Sequence, residues 1–300
     1  MTTSSTISPL AILATGGSYL RSVEASIDEG TSWCSLPDLP NIIYFHTQSG
    51  LITCGGGNYN SNSCLTFSNG VWNQSHALIS DRSYHSAWSS PQGVVLIGGV
   101  DGSNGIGAAE ILNDGGQSAE TFPLKYEVYD PCAIQLDDQV ILTGGVVKLD
   151  GNTFILSLVN AYSNQGLIED ETLPNLRQGR YHHGCGHYVN SDNLIVYLVT
   201  GGFDYDKNVL SSTEILISGE DTWVEAGKLP TPTALLNGVS FNNKIIMTGG
   251  IDERFNKCTD VLSYNITSGH WDLIGNMRHG RDAHAVSLVN VTDIVNFCQR

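Results

Sequence analysis

The stretch AILATGG (Ala11–Gly17) decides the fold. A short apolar run closing on paired glycines returns as LITCGGG (Leu51–Gly57), VVLIGG (Val94–Gly99), VILTGG (Val140–Gly145), VYLVTGG (Val196–Gly202) and KIIMTGG (Lys244–Gly250). The first glycines stand at 16, 55, 98, 144, 201 and 249, in steps of 39, 43, 46, 57 and 48 residues. Self-similarity at this period marks a repeat architecture. Each run is rich in Val, Ile and Leu and reads as a strand buried on both faces. The glycines mark a place where the chain kinks or a neighbouring backbone comes close.

More of the unit recurs around each pair. A polar loop and a second strand follow (SVEASI, CLTFS, STEILIS, TDVLSYN), then a turn and a strand carrying Trp33, Trp72, Trp223 or Trp271. A segment such as LPDLP or KLPTP leads to a further strand, as in RSYHSAW and RYHHGCGHY. Double glycine, aromatic position, Trp and R-x-x-H in this order resemble the kelch repeat, from about Pro9 to Val291. The resemblance implies an all-β, six-bladed propeller with four antiparallel strands per blade. With strands a to d named from the channel outward, the glycine-pair strand is b, the Trp strand d, and the strand after R-x-x-H is a. The chain begins at a b strand, so a C-terminal a strand near Ala283–Asn290 is expected to complete the first blade and close the ring. Residues 1–8 read as a tail and 9–300 as one domain. The segment DIVNFCQ (Asp293–Gln299) reads as a further b-type strand without glycines, competing with Ala11–Thr15 or packing outside it.

Composition narrows the function. Only 15% of residues are charged, 33 are glycine, and the net charge is −16. Nucleic acid and anionic membrane surfaces are disfavoured, because both require clustered Lys and Arg. No apolar run is long enough to span a bilayer, and the N-terminus lacks the basic region of a signal peptide. Seven cysteines leave at least one unpaired within the chain, and none lies in a CxxC pattern, so a zinc site is not expected. Cys54 closes one b strand and Cys64 opens the next c strand, where an antiparallel pair could bring them together. The CGG…C pattern resembles extracellular kelch domains of invertebrate animals. Sequons at Asn73, Asn265 and Asn290 point the same way, to a secreted or extracellular protein, with a cytoplasmic one as the alternative.

Three R-x-x-H segments, Arg82–His85, Arg180–His183 and Arg281–His284, fall at the crossover from strand d to the next strand a. Symmetry would place them around one mouth of the channel, on the face that also carries the b–c loops. In kelch proteins this rim commonly holds the partner. The resemblance implies binding roles for Arg82, Tyr84, His85, Arg180, Tyr181, His183, Arg281, Asp282 and His284. Tyr59, Asp204, Tyr205 and Arg254 would add loop contacts, with Tyr19 and Asp101 nearby. Arg and Tyr combine planar hydrogen bonding with rigid contact area. The competing reading is structural, with each Arg bridging blades through backbone carbonyls. His85, His183, His187 and His284, with His46, raise a metal reading, but histidine at this kelch position can simply bond its neighbours, so no metal or other cofactor is expected.

SIDEGTSW (Ser26–Trp33) matches an Asp box, yet it occupies the c–d turn of the first blade, away from that rim. A sialidase would also need an F-R-I-P-like start and further Asp boxes, which are absent. No G-x-S-x-G, phosphate-cradling loop or copper constellation is present. The sequence therefore reads as a monomeric, non-catalytic module that binds a protein, peptide or glycan on one face. The alternative is a small-sugar enzyme similar to kelch-type sialic-acid mutarotases.

Overall fold

Each repeat folds into a four-stranded antiparallel sheet, and the six sheets follow one another around a central channel. The computed structural model describes residues 10–57, 62–102, 104–113, 118–163, 165–168 and 173–298. Blade 1 takes strand a from the C-terminus (Ala285–Asn290), then b Leu10–Thr15, c Val23–Ser26 and d Cys34–Leu36. Blade 2 comprises Thr47–Ser49, Ile52–Cys54, Ser63–Ser68 and Val71–Ala77, and blade 3 Ser86–Ser90, Gly93–Ile97, Ala108–Leu112 and Ser118–Pro123. Blade 4 comprises Cys132–Gln135, Gln139–Thr143, Val159–Ser163 and Gly166–Leu167. Blade 5 comprises Gly184–Val189, Ile195–Thr200, Thr213–Ile217 and Val224–Ala226, and blade 6 Asn237–Phe241, Lys244–Thr248, Asp260–Asn265 and His270–Asn276. The ring closes as expected: strand b of blade 1 pairs antiparallel with the C-terminal strand a, Leu10 opposite Asn290 and Thr15 opposite Ala285. Closure removes the sheet edge that an open arc of blades would leave.

Among the described residues hydrophobic clusters fill all six junctions between blades, with a smaller seventh cluster, Phe203, Ala234 and Ile251, nearer the mouth between blades 5 and 6. Ala11, Leu13, Phe67 and Trp72 fill the junction of blades 1 and 2, and Trp88, Val95, Val140 and Tyr162 that of blades 3 and 4. Trp223 and Trp271 pack where blade 5 meets blades 4 and 6, and Trp33 where blade 6 meets blade 1. The b strands, such as Ile195–Thr200, are nearly continuous apolar runs because both of their faces meet a neighbouring blade. The Asp-box turn serves this packing. Asp28 Oδ1 accepts from the Ser32 N–H at 2.9 Å, Gly30 takes φ +93°, and the Trp33 indole donates to Gly30 O at 3.1 Å.

The paired glycines make the most repeated contact of the ring. The N–H of the second glycine of each pair donates to a carbonyl in the crossover that enters the next blade. The six bonds run from Gly17 to Ile43, Gly56 to Arg82, Gly99 to Val128, Gly145 to Arg180, Gly202 to Thr233 and Gly250 to Arg281, all at 2.8–2.9 Å. All of these glycines have positive φ. A β-carbon on Gly16, Gly98, Gly144, Gly201 or Gly249 would press on the same carbonyl, and one on the second glycine of a pair would press on the crossover of its own blade.

Two features differ from the sequence expectation. The segment expected as a seventh b-type strand is an α-helix, α1 (Val291–Cys298). Its Ile294 is fully buried and Phe297 packs on Phe67, so it caps the junction of blades 1 and 2 from outside instead of competing for the sheet. Secondly, the 57-residue step between the fourth and fifth glycine pairs houses an inserted hairpin, Val146–Leu149 paired with Asn152–Ile155.

Three disulfides add covalent ties: Cys54–Cys64 within blade 2, Cys132–Cys185 between the a strands of blades 4 and 5, and Cys34–Cys298 between strand d of blade 1 and α1. Cys258 is free.

The glycine contact has a direct test. Gly99 and Gly219 share φ +93°, but a β-carbon at Gly99 would lie 2.8 Å from His85 Cβ, whereas at Gly219 it meets nothing within 4 Å. Gly219→Ala is expected to cost about 1–3 kcal/mol through backbone strain alone. Gly99→Ala is expected to cost clearly more in urea unfolding. Equal losses would contradict the close-approach account.

Candidate functional site

The mouth of the channel is built from six aligned triplets at the d–a crossovers: Tyr44-Phe45-His46, Ser83-Tyr84-His85, Tyr129-Asp130-Pro131, Tyr181-His182-His183, Ala234-Leu235-Leu236 and Asp282-Ala283-His284. Each middle residue takes a left-handed conformation, with φ between +49° and +58°. Non-glycine residues rarely do so, and six in register mark a conformation imposed by tertiary structure. Their backbones link around the axis. Phe45 N–H donates to Ala283 O (2.9 Å), Tyr84 to Phe45 (3.0 Å), Asp130 to Tyr84 (2.8 Å), Leu235 to His182 (2.9 Å) and Ala283 to Leu235 (3.4 Å). Between blades 4 and 5 the link is made by side chains, His182 Nδ1 lying 3.1 Å from Asp130 Oδ1.

The middle side chains close over the channel. The Phe45 ring stacks on Tyr84 at 3.9 Å between centroids and on His182 at 5.4 Å, and Tyr181 flanks His182 at 5.0 Å. Below them lies a cavity of about 160 Å³, lined by these rings, Asp130 and the buried histidines. Burial raises the Asp130 carboxyl above its ordinary value, opposed by His182 beside it. Burial, reinforced by Asp130, pushes the Tyr84 phenol up to about 12, so it remains a hydrogen-bond donor.

The three arginines read as rim groups are withdrawn from the surface. Arg82, Arg180 and Arg281 are 2%, 0% and 0% exposed. Arg281 donates to Gly16 O and Ser22 O and pairs with Glu24 at 2.5 Å. Arg180 does the same with Gly201 O, Ser212 O and Glu214 (2.6 Å), and Arg82 with Gly98 O, Ala108 O and Glu110 (3.0 Å). The glutamates are buried too, and Glu24 also accepts from the backbone of Arg278 and His279. Each Arg–Glu pair thus clamps a crossover onto strands b and c of the blade it enters, in blades 1, 3 and 5. Blades 2, 4 and 6 carry Ile43, Val128 and Thr233 at that position. A glutamate inside an otherwise apolar c strand was the overlooked signal, because a buried charge requires a partner.

His85, His183 and His284 are likewise buried, and His46 with them. Their Nε2 atoms meet Thr47, Thr143, Thr248 and Thr15 at 2.9–3.0 Å, each on the preceding blade. Thr143 and Thr248 also donate to Cys132 O and Asn237 O, so in those pairs the imidazole Nε2–H is the donor. Among the described residues no three His, Cys, Asp or Glu side chains group to hold a metal ion. His187 lies deeper in the channel, on strand a of blade 5.

The remaining predicted residues divide. Tyr84 and Tyr181 stand at the mouth, half-buried, and Asp282 is paired with Lys257 at 2.9 Å. Asp204 is a turn anchor, its Oδ1 accepting from Asp206 N–H and Asn208 N–H at 2.9 Å. Asp252 plays the same part for Arg254 and Asn256 in blade 6. Tyr205 and Arg254 are exposed on the mouth face, whereas Tyr59 lies outside the described residues. Sequence reading missed Phe45, Asp130 and His182, which alignment of the crossover triplets would have exposed. It also missed Phe154 on the inserted hairpin. That hairpin, Tyr129, Tyr181, Tyr205 and Lys207 border an open groove of about 600 Å³ beside the mouth.

The buried imidazoles make stability depend on pH. Desolvation and the neighbouring guanidinium charge hold His46 down at about 3, and desolvation first, then Arg82, Arg180 and Arg281 respectively, hold His85, His183 and His284 well below 6.5. Unfolding lets each take a proton, so their contribution is complete above pH 6.5 and is lost as pH falls towards the folded values. Each removes up to about 1.4 kcal/mol per pH unit. Urea unfolding is expected to show a steep loss already between pH 6.5 and 5, above the range of ordinary carboxylates. A flat profile there would contradict the assignment.

No family model matches the chain. Kelch-like protein 41b of Danio rerio is 34% identical over 92 residues, covering 30% of this chain and 14% of that protein, so the chain spans only a small part of that relative. The solved structure of YjhT superposes with a TM-score of 0.71 over 88% of this chain and 94% of its own, at 13% identity. Glycine-pair repeats, six closed blades and these likenesses agree on the fold: the chain has the kelch-type, six-bladed β-propeller architecture.

Proposed function

We propose that the mouth face is a binding surface for a protein, peptide or glycan, and that the ring acts as a non-catalytic, monomeric recognition module. One observation carries the reading. Among the described residues, the aromatic side chains that are exposed are Tyr19 (86%), Tyr205 (74%), Phe255 (69%) and Phe154 (46%). All four sit on b–c connections of the mouth face, on the contiguous blades 4, 5, 6 and 1. Exposed aliphatic residues such as Ile27, Val71 and Leu273 are scattered elsewhere and call for no explanation. Rigid aromatic rings set among Ser, Asn and Gly are the composition of recognition loops, since they bring contact area at little entropic cost. Lys257, 5.3 Å from the Tyr19 ring and paired with Asp282, braces the loops of blades 6 and 1.

The three disulfides favour an oxidising compartment, and we place the protein in the secretory pathway or outside the cell. No helix among the described residues is long and apolar enough to cross a membrane.

A second reading, a small-sugar enzyme similar to sialic-acid mutarotases, draws support from the Asp130–His182 pair. An acid–base couple beside the Tyr84 phenol at a channel mouth is suited to proton transfer. NMR exchange spectroscopy of sialic acid and neutral hexoses separates the readings. The binding account predicts no acceleration of anomer exchange. Acceleration that disappears in His182→Ala would replace it with the enzyme.

The binding surface itself is tested by screening the full chain against glycan and peptide arrays and titrating the hits. Tyr205→Ser with Phe255→Ser is expected to weaken binding at least tenfold, about 1.4 kcal/mol. Ile266→Ser with Leu273→Ser, away from the mouth, is expected to leave it unchanged. The reverse pattern would move the site off this face.

A further inference from the structure

The sequons at Asn73, Asn265 and Asn290 lie on blade strands but have no part in the mouth, and the fold arranges them consistently. Asn73 lies on strand d of blade 2, the outermost strand, with its side chain exposed next to the buried Trp72. Asn265 ends strand c of blade 6 and is exposed in the c–d turn. Its Oδ1 accepts from Thr267 N–H and Ser268 N–H at 3.1 Å, and its Nδ2 donates to the exposed Asp272 Oδ2 at 3.2 Å. Asn290 is the last residue of the C-terminal strand a and immediately precedes α1. Strands a begin at the mouth, so Asn290 emerges on the far face, again exposed. The hydroxyl residues that complete the three motifs, Ser75, Thr267 and Thr292, are exposed as well.

We propose that Asn73, Asn265 and Asn290 carry N-linked glycans that cover the outer edge and far face along blades 6, 1 and 2 and leave the mouth face bare. The distribution of asparagine supports the segregation. The b–c loops are rich in it, with Asn58, Asn60, Asn62, Asn104, Asn208 and Asn256, yet none of these has Ser or Thr two positions on. An oligosaccharide at a mouth loop would stand beside Tyr19, Tyr205 or Phe255, whereas one at the three sequons starts from the outer edge or the far face. The acceptor chemistry is an exposed side-chain amide with a hydroxyl two residues on. The proposal rests on the secretory reading above.

The test is to secrete the full chain from a eukaryotic host behind a removable leader. Its thiols are counted by alkylation without reduction, and its mass is taken before and after peptide N-glycosidase F. Six protected cysteines and conversion of Asn73, Asn265 and Asn290 to Asp are expected. Each single Asn→Gln variant should lose one glycan-sized mass step. Protected cysteines with no enzyme-sensitive mass would overturn the glycan sites while sparing the secretory reading. Seven reactive thiols would overturn both. Peptide mapping of the unmutated protein guards against variants that fail to fold, and a glycan on any mouth-loop asparagine would overturn the segregation.

Discussion

Everything in this molecule depends on how closely the end of each b strand approaches the crossover that enters the next blade. A backbone N–H of the second glycine meets a carbonyl there six times; a β-carbon on a first glycine such as Gly98 would displace that carbonyl, and one on the second would press on the crossover of its own blade. The bond satisfies a buried donor that has left its own sheet. It also sets the spacing between blades, and so the depth to which the inter-blade clusters can pack. The left-handed residues of the mouth follow from the same contact. Once the crossover is held against the glycines, the chain must turn sharply to descend as strand a, and Phe45, Tyr84, Asp130, His182, Leu235 and Ala283 make that turn.

Buried polar groups supply a second layer of specification. Arg–Glu pairs clamp the crossovers of blades 1, 3 and 5, and His–Thr bonds tie blades 1, 2, 3 and 5 to their predecessors. Removing one member of such a pair leaves an uncompensated charge or polar atom, so each of these residues is held in place by the cost of losing its partner. The scaffold beneath the mouth is thereby pinned, and the b–c connections project from it. The fold itself does not dictate function, and the recognition role proposed above rests on what those loops carry.

How much of this was legible in the sequence varied with the range of the interaction. The glycine pairs and their apolar runs are local, and blade number, strand order and ring closure followed from them. The tail was misread because a short apolar segment fits either period. Val291, Ile294 and Cys298 in fact keep helical spacing behind Asn290, a residue suited to capping a helix. The arginines were placed on the rim because R-x-x-H shows the crossover position but not the direction of the side chain. Glu24, Glu110 and Glu214, each some distance away in sequence, decide that direction. The Asp130–His182 pair spans two blades, and the aromatic arc spans four, so neither has a local signature. Both emerge only when the repeats are laid over one another.

The central claim is that the glycine-to-crossover bonds act as one closed ring and not as six local contacts. Native-state hydrogen exchange at Gly17, Gly56, Gly99, Gly145, Gly202 and Gly250, followed across a denaturant series, measures this directly. A closed ring predicts that all six amides exchange only through global unfolding, with one common free energy and one denaturant slope. Amides that open blade by blade, with separate free energies well below that of global unfolding, would contradict it.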